Sequence, residues 1–260
     1  MKKYTITILG VFFTINLLAE CSMSGLWAYP SSKSISSNSI IMVEGYSFSQ
    51  RIVDSLNISY PVYLQTDDHR IDLEVVDICI GEYQLTQAVL QPKQSLVRGK
   101  SYQLKIGNLS DWEQKDLRKW NSLEKRYEPI SWIVDKKDDQ TEPMWAEMPK
   151  LSDRSTIWYG CGPAIYATFE LQVQDQSQTF VTTELYDVTQ NKVCTYHLPI
   201  SENGKLNVGH GMCAGAFFYL EKGEYQIRFS LLDMSGNTNS NWTEWISFKS
   251  PFKEFNFPNE

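Results

Sequence analysis

The sequence predicts an all-β protein made of two β-sandwich domains in tandem, joined by a short helical connector. Three observations point there. Apolar and polar residues alternate in clean runs, most plainly Tyr225, Ile227, Phe229 and Leu231 against Gln226, Arg228 and Ser230; this is the period of a half-buried strand. Similar runs recur along the chain between Gly, Asp, Asn and Pro turn signals. A leucine–glycine–tyrosine order leads into a strand twice, as Leu96, Gly99, Tyr102 and as Leu220, Gly223, Tyr225. Two such corners, about 120 residues apart, argue for two domains.

The composition agrees. A chain of 260 residues has room for about two domains. A hydrophobic content of 42% is ample for cores, and 8 Trp with 14 Tyr suit strands. The formal charge is −7 and there is no basic run, which argues against a nucleic-acid partner.

At the N-terminus, Lys2 and Lys3 precede a mostly apolar run over 4–18 that is too short to span a bilayer. Residues 1–20 therefore predict an export signal. Leu18-Ala19-Glu20-Cys21 resembles the lipobox of bacterial lipoproteins, which implies that Cys21 carries a lipid and that the lipid is the membrane attachment. Glu20 stands where that pattern has a small residue, and plain secretion is the alternative. The serine-rich residues 21–38 predict a flexible tether.

The first domain is expected over 39–134. Its candidate strands are 40–43, 62–64, 71–80, 87–90 and 102–106, with a bulge where the alternation shifts phase at Val76. Ser110 and Glu113 have capping-box spacing. With Trp112, Lys115, Lys119 and Leu123 they predict a helical connector over 111–126, and 130–134 resumes as a strand. Asp135 to Asp139 reads as a solvated turn. The second domain is expected over 143–252, with strands at 164–173, 181–186, 192–198, 217–220, 225–232 and 242–248, then a tail over 253–260. Asp233 to Asn237 supplies a polar turn with a glycine for positive φ.

On the two corners and the Asp233-Met-Ser-Gly-Asn237 turn, the chain resembles the immunoglobulin-like and fibronectin type III-like domains of exported bacterial envelope proteins. The resemblance implies two immunoglobulin-like β-sandwich domains, and tyrosine hydroxyls that bond back to the upstream backbone. Such domains serve as spacers, adhesive modules or ligand-binding modules, and fold alone does not fix function.

Five cysteines are present. In an oxidising compartment pairing is expected, and Cys161 with Cys213 is the expected pair, since both stand among glycines that let the backbone bend. The same region suggests a metal site. Cys194-Thr-Tyr-His197 and His210-Gly-Met-Cys213 offer two sulfurs and two imidazoles at ligand-like spacing. Against it, residues three apart on a strand point to opposite faces. Trp242 and Trp245 suggest a sugar platform, although on a strand their rings face opposite ways. The three histidines, His69, His197 and His210, lie in no nucleophile–base signature. The expectation is an exported, non-enzymatic binding or structural module without a cofactor, its partner a protein or glycan of the cell envelope. The alternative is a periplasmic metal-binding protein using Cys194, His197, His210 and Cys213.

Overall fold

The structure, a computed structural model, describes residues 21–254 apart from 68 and 240. The expected export signal over 1–20 lies outside the described residues, as do residues 255–260 of the tail.

The chain is nearly all β. Its first half contains β1 (Ser24–Tyr29), β2 (Ser34–Ile35), β3 (Ile41–Ser47), a short helix α1 (Gln50–Asp54), β4 (Val62–Gln65), β5 (Arg70–Ile80), β6 (Leu85–Pro92), β7 (Ser101–Ile106), β8 (Arg118–Asn121), β9 (Arg126–Pro129) and β10 (Ser131–Val134). These strands, β8 and β9 apart, run in the order β1-β3-β6-β5-β4-β7-β10-β2. The N-terminal residues of β5 pair with β4 and the rest with β6. The register shifts between Val75 and Asp77, at the bulge that the phase change at Val76 predicts. The inward residues Ile41, Val43, Leu73, Tyr102 and Trp132 form one core. Trp132 is buried with its indole N–H donated to the Pro30 carbonyl at 2.9 Å, as a buried indole requires.

The second half contains β11 (Met144–Tyr159), β12 (Gly162–Gln174), β13 (Thr179–Asp187), β14 (Lys192–Pro199), β15 (Lys205–His210), β16 (Glu224–Asp233), β17 (Thr238–Asn239) and β18 (Ile246–Lys249). They make a sheet β11-β12-β15 and a sheet β14-β13-β16-β17, with β18 also on β16. Phe169, Tyr196, Tyr225 and Phe229 fill the core between them.

Both tyrosine corners form. Tyr102 Oη accepts the Val97 N–H at 3.0 Å, and Tyr225 Oη accepts the Leu220 N–H at 2.7 Å. The two corner glycines serve different needs. Gly99 sits at φ +82°, in the left-handed region, whereas a β-carbon at Gly223 would stand 2.5 Å from the Tyr225 hydroxyl.

The halves are not independent beads. Ile40, Met42 and Val89 of the first pack against Phe180, Leu232 and Met234 of the second as a third buried cluster.

Several expectations are corrected. Residues 21–38 are not a free tether: β1 pairs with β3 along its length, and β2 pairs in parallel with β10. Trp27, Tyr29 and the proline-bounded stretch behind them are strand and corner material, which the serine content conceals. The connector at 111–126 is not a helix. Glu113 does reach back to the Ser110 N–H, at 2.8 Å, but it is buried and ion-paired with Arg51, and a single 3₁₀ turn results. The chain then folds into the β8–β9 hairpin, in which Trp120 pairs with Tyr127. Residues 217–220 form no strand, although Phe217 and Tyr219 are buried in the core. β11 and β15 arise where no strand was expected. β11 is a largely exposed strand broken by three register shifts, so its sequence carries no clean alternation.

Candidate functional site

Two regions concentrate polar chemistry or exposed aromatic surface. The first is a groove of about 650 Å³ between β1 and the β8–β9 hairpin. The hairpin is closed by Asn121, whose Oδ1 accepts the Leu123 and Glu124 N–H groups at 3.0 and 3.1 Å, and by Lys125 at φ +49°. The hairpin is fastened to the β1–β2 segment by Lys119, which donates to the Ser31 carbonyl at 3.2 Å, and by the Lys33–Glu128 ion pair at 3.6 Å. Trp27 and Trp120 are both among the residues that line the groove, and they are 49% and 51% exposed. Trp120 is braced edge-on by Tyr127, with ring centroids 5.1 Å apart. Lys33, Lys119, Asn121 and Glu128 give the groove a polar rim. The sequence assigned Lys119 and Leu123 to a helical connector and gave no groove residue a binding role. The signal was there in Trp120-Asn-Ser-Leu-Glu-Lys-Arg-Tyr127, which reads equally well as a hairpin with cross-strand aromatics.

The second region is the junction between the halves. Tyr196 Oη donates to Glu44 at 2.7 Å, and burial raises the Glu44 carboxyl above its usual range. Gln87 donates to the His197 carbonyl at 3.1 Å. Glu82 accepts the Phe218 N–H at 2.9 Å and pairs with Lys192 at 2.9 Å. Asp77, Cys79 and His197 meet here, with their ligand atoms within 4.8 Å of one another.

The expected metal set does not assemble. Among the described residues, no three of Cys194, His197, His210 and Cys213 bring ligand atoms together, and His197 joins Asp77 and Cys79 instead. Cys194 is buried, 3.7 Å from the Ile80 and Ala216 carbonyl oxygens, and burial pushes its thiol up to about 12. Cys194 and His197, three residues apart on β14, point to opposite faces of the strand, and His197 Nε2 lies 3.7 Å from Asp77 Oδ2. His210 is buried and stacked on Phe218, with Nδ1 2.8 Å from the Gly211 carbonyl. Cys213 is bonded to Cys21, with α-carbons 5.7 Å apart.

That bond also corrects the expected Cys161–Cys213 pair. Cys161 is a free, exposed thiol at the β11–β12 turn, and the partner of Cys213 comes from the segment just before β1. A sulfur held in a disulfide has none to spare for a lipid thioether, so the disulfide and a lipid on Cys21 are mutually exclusive.

Cys79, His197 and Asp77 resemble a nucleophile set in composition only. Burial, first, and then the Asp77 charge push the Cys79 thiol up to about 12, the reverse of what an attacking thiolate needs. Its sulfur lies 3.7 Å from Asp77 Oδ2, which is its hydrogen-bond partner.

A carboxylate cluster at the far side of the junction is internally satisfied. Asp139, expected in a solvated turn, is buried beside Asp175 and Asp233. Ser177 and the Thr141 N–H donate to Asp139, and Asp233 accepts the Ser235 and Asn237 N–H groups at 2.8 Å. The Asp233 turn forms as predicted, with Gly236 at φ +87°. Trp242 and Trp245, expected on opposite faces of a strand, lie in a non-strand segment, and both rings cover Arg228, at 4.7 and 4.6 Å. Arg228 thus takes a face of each ring, and both rings stay part-exposed at 36% and 39%.

Fold and site together define a disulfide-bonded protein of layered β-sheets, with no helix among the described residues long and apolar enough to cross a membrane. No family model matches the chain, and no curated protein matches it. Among solved structures, it aligns with a type I pullulanase from Bacillus subtilis (12% identity, 89% of this chain, 25% of that one, TM-score 0.24). It also aligns with the adhesin InvE of Yersinia pseudotuberculosis (13% identity, 87% of this chain, 58% of that one, TM-score 0.22). A third match is the N-terminal part of the bacterial S-layer protein SbsC (10% identity, 88% of this chain, 44% of that one, TM-score 0.25). At these scores the likenesses bear on neither fold nor function.

Proposed function

We propose that this chain is an exported, non-enzymatic binding module, built as two immunoglobulin-like β-sandwich domains, that takes an extended saccharide chain in the groove between β1 and the β8–β9 hairpin. The observation that carries the reading is the pair of half-exposed indoles, Trp27 and Trp120, on one groove with a polar rim. Flat aromatic faces match the apolar faces of sugar rings, and a few rim hydrogen bonds fix orientation. The open shape suits a chain rather than a small enclosed metabolite. The disulfide supports export, since such bonds persist in oxidising compartments, and glycans are plentiful at a cell envelope.

Affinity electrophoresis in gels containing soluble polysaccharides tests the reading. The wild-type chain is expected to be retarded by at least one glycan, and the Trp27→Ala/Trp120→Ala double variant is expected to run free. Because Lys33 and Lys119 outnumber Glu128 on the rim, uronate-containing chains are expected to retard it more than neutral ones, with salt reducing the difference. Equal migration of wild type and double variant across neutral and acidic glycans contradicts the reading.

A further inference from the structure

We propose that Asp77, Cys79 and His197 form a zinc site across the junction, β5 supplying a carboxylate and a sulfur and β14 an imidazole. Asp77 Oδ2 stands 3.7 Å from His197 Nε2 and 3.7 Å from Cys79 Sγ, and all three ligand atoms lie within 4.8 Å of one another. Tetrahedral zinc at its usual bond lengths separates sulfur, nitrogen and oxygen ligands by roughly 3.4–3.6 Å. The triangle is therefore already close to the size that an ion requires, and small side-chain rotations complete it. Zinc is the ion the donors select, since sulfur and imidazole disfavour magnesium and calcium, which take oxygen.

The surroundings prepare the ligands. Asp77 and Cys79 are two apart on β5, hence on one face. His197 Nδ1 lies 3.0 Å from Thr182 Oγ1; donating its N–H there leaves the Nε2 lone pair turned toward the other two ligands. Gln87, paired with Cys79 in the β5–β6 register, is fully buried and touches the His197 carbonyl through Nε2. Its Oε1 has no hydrogen-bond partner among the described residues, so an uncommitted buried oxygen borders the site. The Asp77 side chain is 58% exposed, which leaves a path for the ion and room for a water in the fourth position. On binding, the hexaaqua ion keeps one water and sheds five, Cys79 gives its thiol proton to solvent, and its sulfur forms the Zn–S bond. Because β5 belongs to the first half and β14 to the second, the ion would fasten one to the other.

The test titrates the full, disulfide-bonded chain, stripped of metal by dialysis against a chelator, with zinc chloride and separately with cobalt chloride. The expected results are one equivalent bound, a thiolate-to-cobalt charge-transfer band, and a higher thermal midpoint with metal. His197→Gln and Cys79→Ala are expected to weaken binding by about 100-fold or more, Thr182→Val by about 10-fold, and Cys161→Ser not at all. Circular dichroism of each metal-free variant checks that it folds. If Cys79→Ala does not fold, Asp77→Asn on the exposed edge carries the test, with an expected loss of about 10- to 100-fold. The proposal is overturned by a folded wild-type chain that binds no metal, by binding that survives His197→Gln and Asp77→Asn, or by a charge-transfer band that disappears with Cys161→Ser.

Discussion

Removing one hydroxyl, in Tyr225→Phe, tests whether the second corner holds its half together. The Tyr225 ring is buried at 1% exposure in the core with Phe229 and Phe248, so Phe keeps the apolar volume and loses only the oxygen. That oxygen accepts the Leu220 N–H at 2.7 Å, and Phe leaves this part-buried donor without its partner. Stranding such a group costs about 1–3 kcal/mol, and partial access to water places the loss toward the lower end, about 1.5 kcal/mol. For a chain of this size that is a fall of about 3–6 °C in the thermal midpoint. Gly223→Ala should cost more, because its β-carbon would lie 2.5 Å from the same hydroxyl and 2.6 Å from the ring edge. The two changes share one contact, so their double-mutant cycle should be non-additive by about 0.5 kcal/mol or more. Calorimetric melting of the four proteins supplies the numbers. If Tyr225→Phe melts within 1 °C of wild type, the corner is ornamental and the argument from the leucine–glycine–tyrosine order fails.

Three further outcomes are expected. Phe180→Ala, in the cluster shared by the halves, should cost about 3–5 kcal/mol, read as a drop in denaturation midpoint or a split into two transitions; a change under 1 kcal/mol contradicts a packed junction. Cys21→Ser opens a bridge spanning 192 residues and should cost up to about 5 kcal/mol on the chain-entropy estimate, with no extra effect from reductant; a stability equal to wild type refutes the bond. Burial holds the His210 imidazole below its usual 6.5, so the unfolded chain takes the proton first and stability falls as pH drops below about 6.5. Relative to wild type, His210→Leu should flatten the melting profile between pH 6.5 and lower values; an unchanged slope counts against it.

The strands with alternating stretches, β5, β12, β13 and β16, were legible because over those stretches one face is buried while the other is half-buried or exposed. The corners and the Asp233 turn were legible because each rests on a local requirement: a hydroxyl within reach, or a glycine where φ is positive. What escaped depends on partners distant in sequence. β1 takes its structure from β3 and from Trp132, whose indole holds Pro30 more than 100 residues away. The hairpin won over a helix at 118–129 because Trp120 and Tyr127 pair across strands, while Glu113 is drawn inward to Arg51. For the junction, the sequence pointed to His197 but not to its companions. Asp77 and Cys79 lie about 120 residues upstream and reach it only because β5 and β14 pack together. The metal pattern read from Cys194 to Cys213 failed on the two-residue period of the strand and on the unforeseen partner of Cys213.

The most direct measurement of the central claim is a calorimetric titration of the chain with oligosaccharides of six or more units, neutral and uronate-containing, alongside the Trp27→Ala/Trp120→Ala variant. Saturable, exothermic binding by the wild type that the double variant lacks while keeping the wild-type circular dichroism is the predicted result. Heats indistinguishable from dilution across the panel, or equal binding by both proteins, would contradict a groove that works by stacking sugars on two indoles.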